Sequence, residues 1–237
     1  MSASSRVKTQ LPVRLGAVVA ALLLGVLACS LPGSDDSGGS SGGPTATAGP
    51  KVLFKDNFSD SGSGWGTGTD DTGSLDYTNG QYVFQVTKDK WFTWGNLADE
   101  TFSNARIEVE VVNKSGTDEP TFGIMCNYQD EQNYYYAGFG SDGYYAIVRT
   151  ENNEDSFLTD ATDNQWVQSD DIQTNADSYQ LGVDCANGEI KLIVDGKTIA
   201  SVQDETYTSG QIGIFVLTFD TAEADVRFDN LQVLEVK

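Results

Sequence analysis

Alternation of apolar and polar residues with period two is the feature that most limits how this chain can fold. "QYVFQVTK" (81–88) sets Tyr82, Phe84 and Val86 on one side, and "ARIEVEVVN" (105–113) sets Ile107, Val109 and Val111 against Arg106, Glu108 and Glu110. Side chains of a strand alternate between its two faces, so such runs predict half-buried strands. "NYYYAGFGSDGYYAIVRT" (133–150) reads as a hairpin, because Ser141-Asp142-Gly143 supplies residues that tolerate positive φ between two aromatic-rich strands. Asp195-Gly196 repeats the device in "EIKLIVDGKTIASV", and "GQIGIFVLTF" and "ADVRFDNLQVLEV" provide two long final strands. No amphipathic helical period competes with this pattern. About ten or more short antiparallel strands imply an all-β chain with two packed sheets.

Two cysteines fall within the strand pattern. In "TFGIMCNY", Phe122, Ile124, Cys126 and Tyr128 share a face, and in "YQLGVDCA" so do Tyr179, Leu181, Val183 and Cys185. Both thiols therefore point inward from strands. An inter-strand disulfide between Cys126 and Cys185 is one expectation, and a pair of buried free thiols is the other. A nucleophilic role fits poorly, because the chain contains no histidine to activate a thiol. The same absence removes Ser-His-Asp catalysis and histidine-ligated zinc.

The amino-terminal region has a different composition. Arg6, Lys8 and Arg14 precede an apolar run from Leu15 to Ala28, with no acidic residue among the first 28. That run is short for a hydrocarbon core of roughly 30 Å and suits a secretory h-region. Its end, Val26-Leu27-Ala28-Cys29, resembles the lipobox of bacterial lipoproteins, although Val26 stands where leucine is more usual. The resemblance implies a signal peptide over 1–28, cleavage before Cys29, and acylation of Cys29. An ordinary signal peptide is the alternative. Residues 29–50, rich in Gly, Ser and Pro, lack the apolar side chains needed to order them and are expected to form a flexible tether. One domain over 51–237 follows. The expected location is the bacterial cell envelope, outside the cytoplasm, with the membrane engaged through the lipid alone.

Processing would remove three of the 14 basic residues and none of the 35 acidic ones, leaving a formal charge of −24. Such a surface repels nucleic acid and suits neutral or cationic ligands. Because the acidic residues are scattered, a solvated acidic surface explains them without any site.

"LFKDNFSDSGSGW", "FGIMCNYQDEQNYYYAGFGSDGYYAI", "GEIKLIVDGKTIA", "YTSGQIGI" and "DVRFDNLQV" together resemble the concanavalin A-like jelly-roll superfamily. Within it they are most similar to laminin-G-like and 3-keto-disaccharide-hydrolase-like (DUF1080-type) domains of secreted bacterial proteins. The resemblance spans residues 51–237 and implies a two-sheet antiparallel jelly-roll sandwich. Chemistry does not follow, since this sandwich serves lectins, glycosidases and adhesion modules alike.

Three kinds of candidate site are expected. Glu108 and Glu110 stand on one strand face about 6 to 7 Å apart, a separation compatible with a glycosidase pair. Laminarinase-like relatives carry a Glu-x-Asp-x-Glu run at such a place, whereas here Glu108-Val109-Glu110 continues into Val111-Val112, so ordinary charge alternation competes with catalysis. By resemblance, Asp56 and Asp229 would hold a structural Ca2+, with a turn cap and an exposed carboxylate as the alternative; no cofactor is required. Trp91, Trp94, Tyr134, Tyr136 and Tyr144 are candidates for a sugar-stacking platform, or for cross-strand pairs that merely stabilise a sheet. Trp65 and Trp166 read as packing anchors. The expected function is non-catalytic binding of an oligo- or polysaccharide. A glycoside-acting hydrolase and a structural or protein-binding envelope module are its rivals.

Overall fold

The computed structural model describes residues 49–237 apart from Ala161, and among them it contains strands, turns and loops but no helix. The expected signal peptide, Cys29 and nearly all of the expected tether lie outside the described residues. In chain order the strands are β1 (Val52–Asp56), β2 (Gly68–Asp70), β3 (Gly73–Thr78), β4 (Gln81–Val86), β5 (Phe92–Asn96) and β6 (Phe102–Ser103). There follow β7 (Ala105–Asn113), β8 (Thr121–Asp130), β9 (Asn133–Gly140), β10 (Tyr144–Glu151), β11 (Glu154–Phe157) and β12 (Val167–Gln168). The last five are β13 (Tyr179–Ala186), β14 (Glu189–Val194), β15 (Lys197–Gln203), β16 (Ser209–Leu217) and β17 (Ala224–Glu235).

Two antiparallel sheets result. The first runs β15-β14-β13-β7-β17-β4-β3-β2 with β1 beside β17, and the second runs β11-β10-β9-β8-β16-β5 with β12 beside β10 and β6 beside β16. Alternation on β7 follows the expectation, since Ile107, Val109 and Val111 are buried and Arg106, Glu108 and Glu110 are half-buried on the other face. Against them, Phe122, Ile124, Ala137, Phe139, Ile147, Ile212, Ile214 and Val216 of the second sheet close the inter-sheet core. On β17 a bulge between Asp229 and Gln232, with Asn230 at φ 53°, changes the phase so that Phe228 and Leu231 both face this core. The turns are as expected: Asp195 and Gly196 both take positive φ, as the two central positions of a type I′ hairpin require, and so does Gly143.

Cys126 of β8 and Cys185 of β13 are joined as a disulfide, Cα to Cα 6.5 Å. It therefore connects the two sheets rather than neighbouring strands, and both cysteines are buried.

A polar network pins the loop between β15 and β16. Asp204 accepts from the Tyr135 hydroxyl at 2.5 Å and from Arg149 at 2.5 Å, while Tyr207 N–H donates to the Tyr135 oxygen at 3.1 Å. Burial alone would raise the Asp204 carboxyl, but the Tyr135 hydroxyl, Thr206 and Arg149 outweigh it and hold it below its ordinary value. A carboxyl depressed in the folded state stabilises the fold above its unfolded value of about 3.9, and that contribution is lost as pH falls through the folded value. Asp204→Asn is accordingly expected to cost about 2 kcal/mol near neutral pH. The gap to the parent should shrink below about pH 4. Urea unfolding at pH 7 and at pH 2.5 measures it, and an unchanged gap would refute the role given to the charge.

Candidate functional site

The outer face of the second sheet is not the polar surface that simple alternation would leave. Along β8 every residue from Thr121 to Tyr128 is buried, and along β9 every residue from Tyr134 to Gly140. The cause is a second apolar cluster. Met125, Tyr128, Tyr134, Tyr136, Ala146, Val148 and Phe215 form it, with half-buried Phe92, Trp94, Phe157, Trp166 and Leu217 packed on its margin. Strand parity accounts for the arrangement: Tyr135 and Ala137 point into the inter-sheet core, so Tyr134 and Tyr136 point out.

Phe215 organises the face. Its neighbours across the ladder are Gly123 on β8 and, one strand further, Gly138 on β9. A Cβ at Gly138 would lie 2.7 Å from the Phe215 ring and 2.5 Å from the Phe122 carbonyl oxygen. Space, not positive φ, requires glycine here. Phe92 stacks on Phe215 with centroids 5.0 Å apart, and Tyr136 meets it edge-on at 5.4 Å. Trp94 lies 6.4 Å from Tyr134, which stacks with Tyr128 at 5.6 Å. Toward the other edge Trp166 sits between Phe157, at 5.9 Å, and Phe219, at 6.0 Å.

Polar groups interrupt this aromatic surface at its two edges. On the β11 side, Asp155 accepts from Thr150 Oγ1 at 2.6 Å and from the Tyr136 hydroxyl at 3.2 Å. On the β5 side, burial pushes the Tyr128 phenol up to about 12, helped by the Glu131 carboxylate and opposed by hydrogen bonds from Trp94 and Asn96. That phenol keeps its proton at any ordinary pH.

The expected platform is thus redistributed. Trp94, Tyr134 and Tyr136 meet on this face, whereas Trp91 is turned into the inter-sheet core and capped by Lys88 at 3.5 Å from its ring. Trp91 is therefore not a stacking surface. Tyr144 is exposed and shares the parity of Ala146 and Val148, but it lies about 13 Å along β10 from the partner of Tyr136, four residues away. It borders the face at the turn end. Phe92, Asp155, Phe157 and Phe215 were not singled out by the sequence, and Trp166 was read there as a packing anchor. Tyr128, expected on the inward face of Phe122, Ile124 and Cys126, lies on the outer face instead, because the register of β8 shifts after Cys126, with Asn127 at φ 47°. Alternation within "GQIGIFVLTF" was the available signal for Phe215, since Ile212, Ile214 and Val216 take the opposite face.

The acidic candidates do not join this face. Glu108 accepts from Gln232 Nε2 at 2.8 Å and Glu110 from Asn230 Nδ2 at 3.2 Å, on the outer face of the first sheet. They point away from the aromatic surface, because Ile107, Val109 and Val111 between them fill the core. Asp56 and Asp229 are not brought together on one face. Asp56 is buried, with one oxygen accepting from Phe58 N–H and the other from the Ser63 hydroxyl and the Trp65 indole. Three donors thus take up most of the acceptor capacity of this carboxylate. Asp229 follows inward-facing Phe228 and so stands on the opposite face of the sheet, accepting from Asn230 N–H. Among the described residues no group of three acids, cysteines or histidines is arranged to hold a metal. Trp65, by contrast, is the anchor expected, buried and tied to Asp56.

A carbohydrate-binding module, CBM66 from Bacillus subtilis, superposes with a TM-score of 0.57 at 18% identity, covering 73% of this chain and 96% of that one. The fold is a jelly-roll sandwich. A Bacillus subtilis protein of unknown function with a galectin-like fold gives 0.57 at 10% identity over 78% of this chain and 96% of that one. The catalytic domain of an endo-1,3-β-glucanase (laminarinase) from Thermotoga petrophila RKU-1 gives 0.55 at 10% identity over 79% and 98%. These likenesses concern the fold alone. No known family profile and no curated protein matches the sequence.

Proposed function

We propose that the jelly-roll domain binds carbohydrate on the aromatic face of its second sheet without cleaving it, and that an acylated Cys29 and the 29–50 tether hold it at the cell surface. The observation that carries the reading is the margin of half-buried rings, Phe92, Trp94, Phe157 and Trp166, around a rigid floor of Tyr134, Tyr136 and Phe215. Broad apolar ring faces with few rotatable bonds pack against the C–H faces of sugars at little entropic cost. Edge groups able to hydrogen-bond hydroxyls, Asp155 and the Tyr128 phenol, fix orientation. Carbohydrate-binding and glucan-cleaving proteins share this fold, which makes a glycan a natural ligand class for such a face.

Cleavage needs two carboxyl groups flanking one bond. Glu108 and Glu110 belong to the other sheet, so a hydrolase of the 3-keto-disaccharide-hydrolase type would have to be built from other residues. Binding without turnover is the better match.

Residues 51–237, incubated with soluble and insoluble polysaccharides while reducing ends are assayed, test the reading. Retention on at least one glycan without released ends is expected. Trp94→Ala should weaken retention about tenfold, the loss of one stacking ring worth ~1.4 kcal/mol. Released ends would favour the hydrolase. No retention across the panel would move the weight to a structural or protein-binding module. In cells, Cys29→Ser should shift the full chain from the membrane to the soluble fraction, and unchanged fractionation would refute the anchor.

A further inference from the structure

The strands of the second sheet contain four acidic residues, Asp130, Glu151, Glu154 and Asp155, and a single basic one, Arg149. Arg149 is not available to the aromatic face. It pairs across the ladder with Tyr135, which points into the inter-sheet core, and its guanidinium is held by Asp204 at 2.5 Å and Glu151 at 3.5 Å. Just before β5, Lys90 pairs with Asp220 at 2.9 Å and Lys88 covers the buried Trp91 ring. Asp155 shares the parity of Val148's partner Phe157 and stands on the aromatic face beside Tyr136. The buried polar atom without a hydrogen-bond partner at the β5 edge, Asn96 Oδ1, is another acceptor.

Resting on the carbohydrate reading, we propose that this face selects uncharged, hydroxyl-rich glycan chains and rejects chains bearing carboxylate or sulfate groups, with Asp155 setting the discrimination. A carboxylate is an acceptor without a proton to give, so it pairs with sugar hydroxyls and repels uronate or sulfate oxygens. The face also suits a chain rather than a single sugar. From β5 to β11 it crosses five strand spacings, about 24 Å.

The test uses pairs of polymers with one backbone and different charge, such as hydroxyethylcellulose against carboxymethylcellulose and agarose against a sulfated galactan. Affinity electrophoresis of residues 51–237 in low salt reads the result. For whichever backbone is retained, the charged partner should bind at least about tenfold more weakly. Added salt should narrow the gap. Asp155→Asn and Tyr144→Lys should each narrow it further, while Thr198→Lys, which places a charge on the edge strand β15 of the other sheet, should not. Equal retention of charged and neutral members would overturn the selectivity and leave carbohydrate binding intact. A response to Thr198→Lys as large as that to Tyr144→Lys would assign the effect to overall charge and also overturn it. Retention of no polymer would overturn the carbohydrate reading itself.

Discussion

Removing the Cys126–Cys185 bridge, as Cys126→Ala with Cys185→Ala, is expected to lower the unfolding free energy by about 4 kcal/mol and the melting temperature by about 10 °C. The cysteines lie 59 residues apart in sequence, so the bridge removes a large loop-closure entropy from the unfolded chain. It also ties β8 of one sheet to β13 of the other, where β-sandwich contacts are otherwise side chain against side chain. Both positions are buried, so alanine is the substitution that avoids stranding a polar atom. Thermal unfolding of the oxidised parent and the double variant, each in the absence of reductant, provides the measurement. Equal melting temperatures would show that the sheets' packing alone sets stability.

Gly138→Ala is expected to cost about 3 kcal/mol, at the upper end of overpacking effects. A methyl group there meets the Phe122 carbonyl oxygen at 2.5 Å, which is backbone and cannot swing aside, and the Phe215 ring at 2.7 Å. Phe215→Ala alone should cost about 3 to 4 kcal/mol through the cavity it leaves. Together the two should cost less than their sum, because the variant methyl group enters part of the space the ring vacated. Chemical denaturation of the four proteins closes the cycle. Strict additivity would refute the reading that Gly138 is kept small for Phe215. Glycan retention by Gly138→Ala should fall as well, since displacing Phe215 disturbs the stacked Phe92 and the edge-on Tyr136 at once.

The sandwich was legible from local pattern because strand parity is a short-range property. Ile107, Val109 and Val111 face the core as their alternation requires, and Asp195-Gly196 turns where its residues tolerate positive φ. The bridge was legible as a pairing because two inward cysteines on strands have few partners to choose from. Whether it joined neighbouring strands or opposite sheets depended on strand order, which alternation does not encode.

The candidate site was less legible for the same reason. Period two says that Tyr134 and Tyr136 oppose Tyr135, but not which set faces the other sheet. Trp91 and Trp94, three apart, necessarily fall on opposite faces of an extended strand, and the pairing of β5 with β16 decided that Trp94 is the outward one. Asp56 illustrates the limit differently: its carboxylate accepts hydrogen bonds from Phe58, Ser63 and Trp65, two of which lie several residues downstream.

The amino-acid sequence by itself determined an all-β chain with inward cysteines, an acidic surface and glycine-turned hairpins, because each rests on residues near one another along the chain. Tertiary structure alone decided that β5, β16, β8, β9, β10 and β11 lie side by side, gathering rings from distant segments onto one face and sending Glu108 and Glu110 to another. The physical reason is that a sheet's order is fixed by long-range pairing and by the packing of its two faces, and neither is written in the period of any single strand.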